Sequence, residues 1–335
     1  MRRMFCLPHS FSRIDSMKQR IFYLDLLRAW AIPCVVMLHC ITPILANQGF
    51  YGSTSWHLAV ALNEFCRTGV PLFLMISGAL LLSDERSADI GYFYKKRLPR
   101  LIFPLLVWHT VYYLAYTFNS GGSFSLRDLL AGLTNNGSAY HMWFVYSLLG
   151  IYLITPFLRR ITESCSMKAL GVLLLILLFP GTLRPLWNVT VGHYIYLFDP
   201  LMECYLGYFL FGYLLTRVKL TKLLRILAIV CGIGGFLMGF LASELSSTAE
   251  ALRYPFNGGY ELNHYLLAGA IFFLLRDLTE GREIPAFPTK LAAVLSDTAF
   301  GVYWIHVLLL ELAQRYLVPD ASPILLAGLH FVAVM

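Results

Sequence analysis

The chain has 335 residues, of which 58% are hydrophobic and only 13% charged, and its mean hydropathy is +0.65. These values exclude a water-soluble globular domain and describe a polytopic membrane protein. The net charge of +7 does not point to nucleic acid, because the lysines and arginines are distributed as membrane orientation requires.

The first 20 residues are polar and basic and lack the apolar core of a cleaved signal, so residues 1–23 read as a cytoplasmic segment and the first span as its own insertion signal. Met17, followed by "KQRIFYLD", offers a second start. Apolar runs of roughly 20 residues, the length that crosses about 30 Å of hydrocarbon, predict helices over 24–46, 58–82, 101–118, 142–158, 169–186, 194–215, 223–242, 260–276 and 299–317. A tenth begins at Pro323, with 13 residues remaining to Met335; either the chain is cut short or this segment is a partial or re-entrant helix. The expected fold is an all-α integral membrane bundle of about ten transmembrane helices, the tenth incomplete, with residues 24–335 forming one transmembrane domain. With the N-terminus inside, 20 of the 26 lysines and arginines fall on the inner side and four on the outer, leaving Arg28 and Arg67 within spans.

No internal repeat of 20–50 residues is apparent. The outer loops 119–141 and 243–259 are rich in Gly, Ser and Asn, and either contact something outside the membrane or merely connect helices. Of the seven cysteines, none forms a CxxC pair, and Cys34, Cys40, Cys66, Cys204 and Cys231 lie within spans as small packing residues. Function is therefore expected within the bundle.

Ionisable side chains at membrane depth cost roughly 2.5–3.5 kcal/mol on insertion scales, so each one calls for a partner or a role. The stretch "DLLRAWAIPCVVMLHC" carries Asp25, Arg28 and His39. Eleven residues separate Arg28 from His39, close to three turns, which puts them on one face about 16 Å apart, with Asp25 one turn before Arg28. This predicts a polar stripe lining a cavity; the alternatives are an ion pair at the span's end and a structural histidine. In "NEFCRTGVPLFLMISGALLL", Glu64 and Arg67 have the i,i+3 spacing of a pair and are expected to face the same cavity as His39, or else to form a salt bridge that fixes packing. In "YKKRLPRLIFP", Pro99 suits a first helical turn, and Arg97 and Arg100 beside free helix amides predict an anion site suited to phosphate, the alternative being ordinary positive-inside anchoring. Further along come "YHMWF" (Tyr140, His141, Trp143), read first as interfacial anchors, Asp199 and Glu203 in the sixth span, and "SDTAFGVYWIH", where Tyr303 and His306 stand one turn apart within a span.

Five motifs in order, "YLDLLRAWAIPCVVMLH", "RTGVPLFLMISGALL", "RLPRL", "HMWFVYSLLGIYLITP" and "SDTAFGVYWIHVLLL", resemble the membrane acyltransferase-3 family of bacterial integral-membrane O-acyltransferases. Their pattern is similar to the branch containing the enterobacterial common antigen O-acetyltransferase. The region from about 160 to 290 matches mainly in hydropathy, and the incomplete tenth span departs from the family pattern. The resemblance implies an inner-membrane enzyme that takes acetyl or a related acyl group from cytoplasmic acetyl-CoA or another acyl-CoA and moves it to a hydroxyl of a surface polysaccharide or lipid-linked glycan. It implies Arg28 and His39 as the family's first-span pair and Arg97 and Arg100 as its R-x-x-R.

On that reading His39 is the base, or a transient acyl carrier, and Arg97 and Arg100 hold the CoA phosphates. Arg28 holds the pantetheine arm or polarises the thioester carbonyl, and Arg67 and Glu64 orient the acceptor or the histidine. No GxSxG elbow, HxxxxD signature or metal-ligand cluster occurs, so neither a serine hydrolase mechanism nor a metal is implied, and acyl-CoA, a glycan acceptor and membrane lipid, not nucleic acid, are the expected partners. The rival readings are a transporter or flippase, which predicts broken helices in matching halves, and a purely structural subunit.

Overall fold

The computed structural model describes residues 20–191, 205–259 and 261–335, all of which are helix or connecting turns with no strand among them. Met17, Asp199, Glu203, Cys204 and the start of the predicted sixth span lie outside the described residues. The helices are α1 (Phe22–Ala46), α2 (Thr54–Cys66), α3 (Gly69–Leu81), α4 (Ile90–Arg97), α5 (Pro99–Asn119), α6 (Leu126–Thr134), α7 (Trp143–Ser164), α8 (Met167–Val191), α9 (Leu206–Arg217), α10 (Lys222–Ser246), α11 (Leu262–Thr279), α12 (Ala286–Tyr316) and α13 (Pro323–Val334). Among the described residues seven segments are long and apolar enough to cross a membrane, counting α2 with α3 and α4 with α5 as single spans. Large side chains such as Phe103, Leu175 and Val230 stand exposed on the outer faces of these helices, as a lipid-facing surface requires.

Four departures from the sequence-based boundaries have physical causes. The second span is two helices: Pro71 has no N–H to give to the carbonyl of Arg67, so the ladder breaks at Arg67 and Thr68, where Thr68 Oγ1 donates to the carbonyl of Phe65 instead. The last long helix begins at Ala286, well before the predicted 299, because Ser296 and Asp297 are not a boundary but bind the start of α1. Loop 119–141 contains α6, capped by Ser125 on the amide of Asp128. The loop is tied to the bundle by His109, whose ring nitrogens meet the carbonyl of Leu129 at 2.8 Å and Ser138 Oγ at 2.9 Å. Finally, α11 is a helix where predicted, but it does not qualify among the seven apolar crossings, because it carries buried Asn263, His264, Arg276 and Asp277.

Helix α1 is the hub, packed against α2, α3, α11, α12 and α13. Beside it, α3 and α9 cross at backbone contact: a methyl on Gly78 would overlap the carbonyl of Phe209, and one on Gly212 would overlap that of Met75. Without a hydrophobic driving force between helices in lipid, such close approach supplies the packing energy. The C-terminal carbonyls of α9 and the turn after it are satisfied by Arg276, whose Nη1 donates to Leu215 at 2.5 Å and Val218 at 2.9 Å.

Candidate active site

The start of α1 is fixed ionically. Asp25 is buried and accepts from Arg20 Nε at 2.8 Å, from Ser296 Oγ at 2.8 Å and from Arg28 Nη1 at 3.4 Å, while Arg20 reaches on to Asp297. The ion pair offered as the alternative reading of Asp25 and Arg28 is present, and it also locks α1 to α12 and sets the direction of Arg28.

Arg28 opens onto a cavity of about 300 Å³ lined also by Arg97, Arg100, Ser77, Tyr152 and Ser296. Three guanidinium groups thus converge from α1, α4 and α5. Pro99 stands in the first turn of α5 as the sequence reading expects, with Leu98 as N-cap and no side chain capping the first amides, and the arginines add the charge. Arg97 donates one Nη to Asp84 at 3.4 Å, and Asp84 is gripped in turn by Arg86, which holds its carboxyl below the usual range. Arg100 is exposed and has no hydrogen bond or ion pair among the described residues.

A second cavity, of about 310 Å³, holds His39 and Arg67, with Thr42, Cys66, Tyr140, His141, Trp143, Tyr205 and the Gly258–Gly259 turn around them. Phe144 and Tyr303 line both cavities. The single polar stripe expected along α1 therefore serves two chambers, Arg28 in one and His39 in the other.

Three histidines meet at the second chamber. The ring of His39 stacks on that of His306 with centroids 5.3 Å apart and meets Tyr140 edge-on at 5.1 Å, while His141 lies 5.0 Å from His306. His306 is fully buried, and its Nδ1 lies 2.6 Å from the carbonyl of Tyr303. A carbonyl only accepts, so Nδ1 carries the proton and Nε2 keeps a lone pair with no partner among the described residues. His141 has no hydrogen-bond partner at either ring nitrogen there, and its own carbonyl accepts from Tyr303 Oη at 2.7 Å. His39 makes no hydrogen bond among the described residues, so its ring is available to the cavity.

Glu64 and Arg67 do not form the expected ion pair, and Glu64 does not line the cavity. Asn63 stands between them: Arg67 Nε donates to Asn63 Oδ1 at 3.2 Å, and Asn63 Nδ2 donates to Glu64 Oε1 at 3.2 Å and to Asn257 Oδ1 at 2.8 Å. Glu64 is buried against α11, where Asn263 Nδ2 donates to its Oε2 at 3.1 Å and His264 Nε2 lies 4.0 Å away. A methyl on Gly239 would overlap Glu64, so that glycine lets α10 close over the carboxylate. The i,i+3 spacing is real and the Arg67 amide still donates to the carbonyl of Asn63 at 3.0 Å in the register of α2, but the Asn63 side chain intervenes and Glu64 serves as the anchor of a buried network behind it. Arg67 thus keeps its terminal nitrogens without a partner among the described residues.

Asn63 and Asn257 are residues of this site that the sequence did not single out; His141 read first as an interfacial anchor, while Tyr303 and His306 stood out as a pair within a span. The nearest signal was the unexplained density of histidine and tyrosine at membrane depth in "YHMWF" and "VYWIH".

Comparison with known proteins bears on this arrangement directly. A family model for acyltransferase-3, described as an acyltransferase domain, matches residues 21–335. The chain belongs to the acyltransferase-3 family. No curated protein and no solved structure matches it. The match spans every helix described above, so both chambers of this membrane acyltransferase lie within the family domain.

Proposed function

We propose that this protein is an O-acetyltransferase of the bacterial inner membrane, with its N-terminus in the cytoplasm, and that it moves acetyl, or another short acyl group, from cytoplasmic acyl-CoA to a hydroxyl of a cell-surface polysaccharide or lipid-linked glycan. The observation that carries the reading is the division of labour between the two chambers. Arg28, Arg97 and Arg100 surround one chamber, and a planar guanidinium forks onto phosphate or polarises a carbonyl. His39 and Arg67 face the other, together with open space for a sugar and aromatic walls in Tyr140, Trp143 and Tyr205. The basic character of the arginine chamber agrees with the excess of lysine and arginine on that side of the predicted topology.

In the proposed reaction His39 takes the proton of the acceptor hydroxyl as its oxygen attacks the thioester carbonyl. The carbon–oxygen bond forms, the carbon–sulfur bond breaks, and CoA leaves as thiolate, which is reprotonated from the histidinium. Arg67, which keeps its terminal nitrogens free, stabilises the oxyanion of the tetrahedral intermediate. Glu64 and Asn63 position Arg67 and touch neither substrate.

The test is transfer of radiolabel from acetyl-CoA to host lipid-linked glycan in membranes carrying either the parent protein or His39→Ala. Label in glycan with the parent and a loss of about 10²–10⁴-fold in the variant is the expected result. Equal labelling removes His39 as the base and moves the role to His306, whose Nε2 holds a free lone pair. No labelling from any acyl-CoA favours a transporter.

A further inference from the structure

We infer that Phe144 and Tyr303 set which acyl groups this enzyme transfers. The inference rests on the proposed function: a donor whose phosphates sit on Arg97 and Arg100 must deliver its acyl carbon to His39. These two side chains are the ones the arginine chamber and the histidine chamber have in common. Their rings meet edge to face with centroids 5.6 Å apart, and both are almost fully buried, at 5% and 4% exposure. Any acyl group passing from one chamber to the other passes between them.

The two residues are held differently. Tyr303 is fixed at both ends: its hydroxyl donates to the carbonyl of His141 at 2.7 Å, its own carbonyl takes the proton of His306 Nδ1 at 2.6 Å, and its ring packs on Trp304 at 5.3 Å. Moving it would disturb the histidine cluster that the chemistry uses. Phe144 has no polar group to tether it. It rests on the rings of Phe73 at 6.2 Å and Trp143 at 6.3 Å, so its displacement breaks only dispersion contacts. Phe144 is therefore the side that yields, against a fixed Tyr303. A two-carbon acyl group asks for the smallest displacement, and each further methylene requires more of the Phe144 ring to leave its packing. Acetyl selectivity then comes from the passage and not from the arginines, which bind the same phosphates whatever the acyl chain.

The experiment is competition between acetyl-CoA, butanoyl-CoA and hexanoyl-CoA for transfer to host lipid-linked glycan, in membranes with the parent protein, Phe144→Leu or Phe144→Ala. The parent is expected to prefer acetyl over hexanoyl by about tenfold or more, the scale on which apolar pockets sort methylenes; the preference should shrink in Leu and vanish in Ala. The Leu variant removes only part of the ring, so it remains informative if the Ala variant does not fold. A second readout needs no turnover. Cys66 lines the histidine chamber, so with the other cysteines replaced, a CoA mixed disulfide should label Cys66 faster in Phe144→Leu than in the parent. Active variants with the parent's chain-length ratio and the parent's Cys66 labelling rate would overturn the inference and leave the acyltransferase reading intact. A parent protein that transfers no acyl group from any of the three donors overturns that reading, and the inference with it.

Discussion

Replacing Arg100 by Gln should weaken CoA binding about tenfold while leaving pantetheine binding unchanged. The magnitude follows from how the two arginines of the R-x-x-R are already engaged. Arg97 shares one Nη with Asp84 at 3.4 Å, whereas Arg100 has no protein partner among the described residues and offers its whole guanidinium to a ligand in the chamber it lines. Hydrogen bonds to a charged group contribute about 1.5–3 kcal/mol. Arg100 is exposed, so water and salt screen it and the lower end applies; 1.4 kcal/mol is tenfold in affinity. Arg100→Lys keeps the charge but loses the fork, and an intermediate loss of about threefold is expected. The assay is calorimetric titration of the purified protein in detergent with CoA and, separately, with pantetheine, which lacks the phosphates. If the ratio of the two affinities is the same in parent, Gln and Lys proteins, Arg100 does not bind the phosphates and the assignment of the arginine chamber to the donor fails.

Other outcomes probe the scaffold. Gly78→Ala places a methyl into the carbonyl of Phe209, and separating α3 from α9 should destabilise the protein by about 1–3 kcal/mol, read as a lowered thermal midpoint in detergent; an unchanged midpoint would show that this crossing is not tight. Asn63→Ala removes the donor that Glu64 and Asn257 share and the acceptor of Arg67 Nε; losing buried partners costs about 1–3 kcal/mol, and transfer should fall with little change in CoA affinity, whereas a rise in the Kd for CoA would place Asn63 on the donor side. The carboxyl of Asp84 is held below its usual value chiefly by Arg86, so its ion pairs stabilise the fold at every pH above the ordinary aspartate pKa of about 3.9 and are lost only as pH falls through the lowered value. Asp84→Asn should therefore be less stable than the parent by a constant margin from pH 5 to 8, with the gap closing on further acidification; a gap that widens in acid contradicts the sign.

The membrane character, the helices and the family were readable from composition and motifs alone. Runs of about 20 apolar residues must be helical in lipid because no water is there to satisfy the backbone, and the family resembled by the five ordered motifs is the one whose model matches residues 21–335. Arg28, His39 and Arg67 were legible one by one because an ionisable residue inside an apolar run is expensive enough to stand out, and Arg97 and Arg100 because they flank Pro99 at a helix start. How they combine follows from the packing of the helices. Helical periodicity placed Arg28 and His39 on one face, yet Phe144 and Tyr303, 159 residues apart in the chain, divide that face into two chambers. The i,i+3 rule paired Glu64 with Arg67, but the side chain of Asn63 stands between them and Glu64 turns to Asn263 of α11. His141 read as an interfacial anchor, and His306 was marked only by standing one turn from Tyr303 within a span, until the turn before α7 and α12 brought both beside His39. Local spacing fixes which side chains share a turn; which ones share a cavity depends on contacts between segments more than a hundred residues apart, and one helix's period carries no record of them.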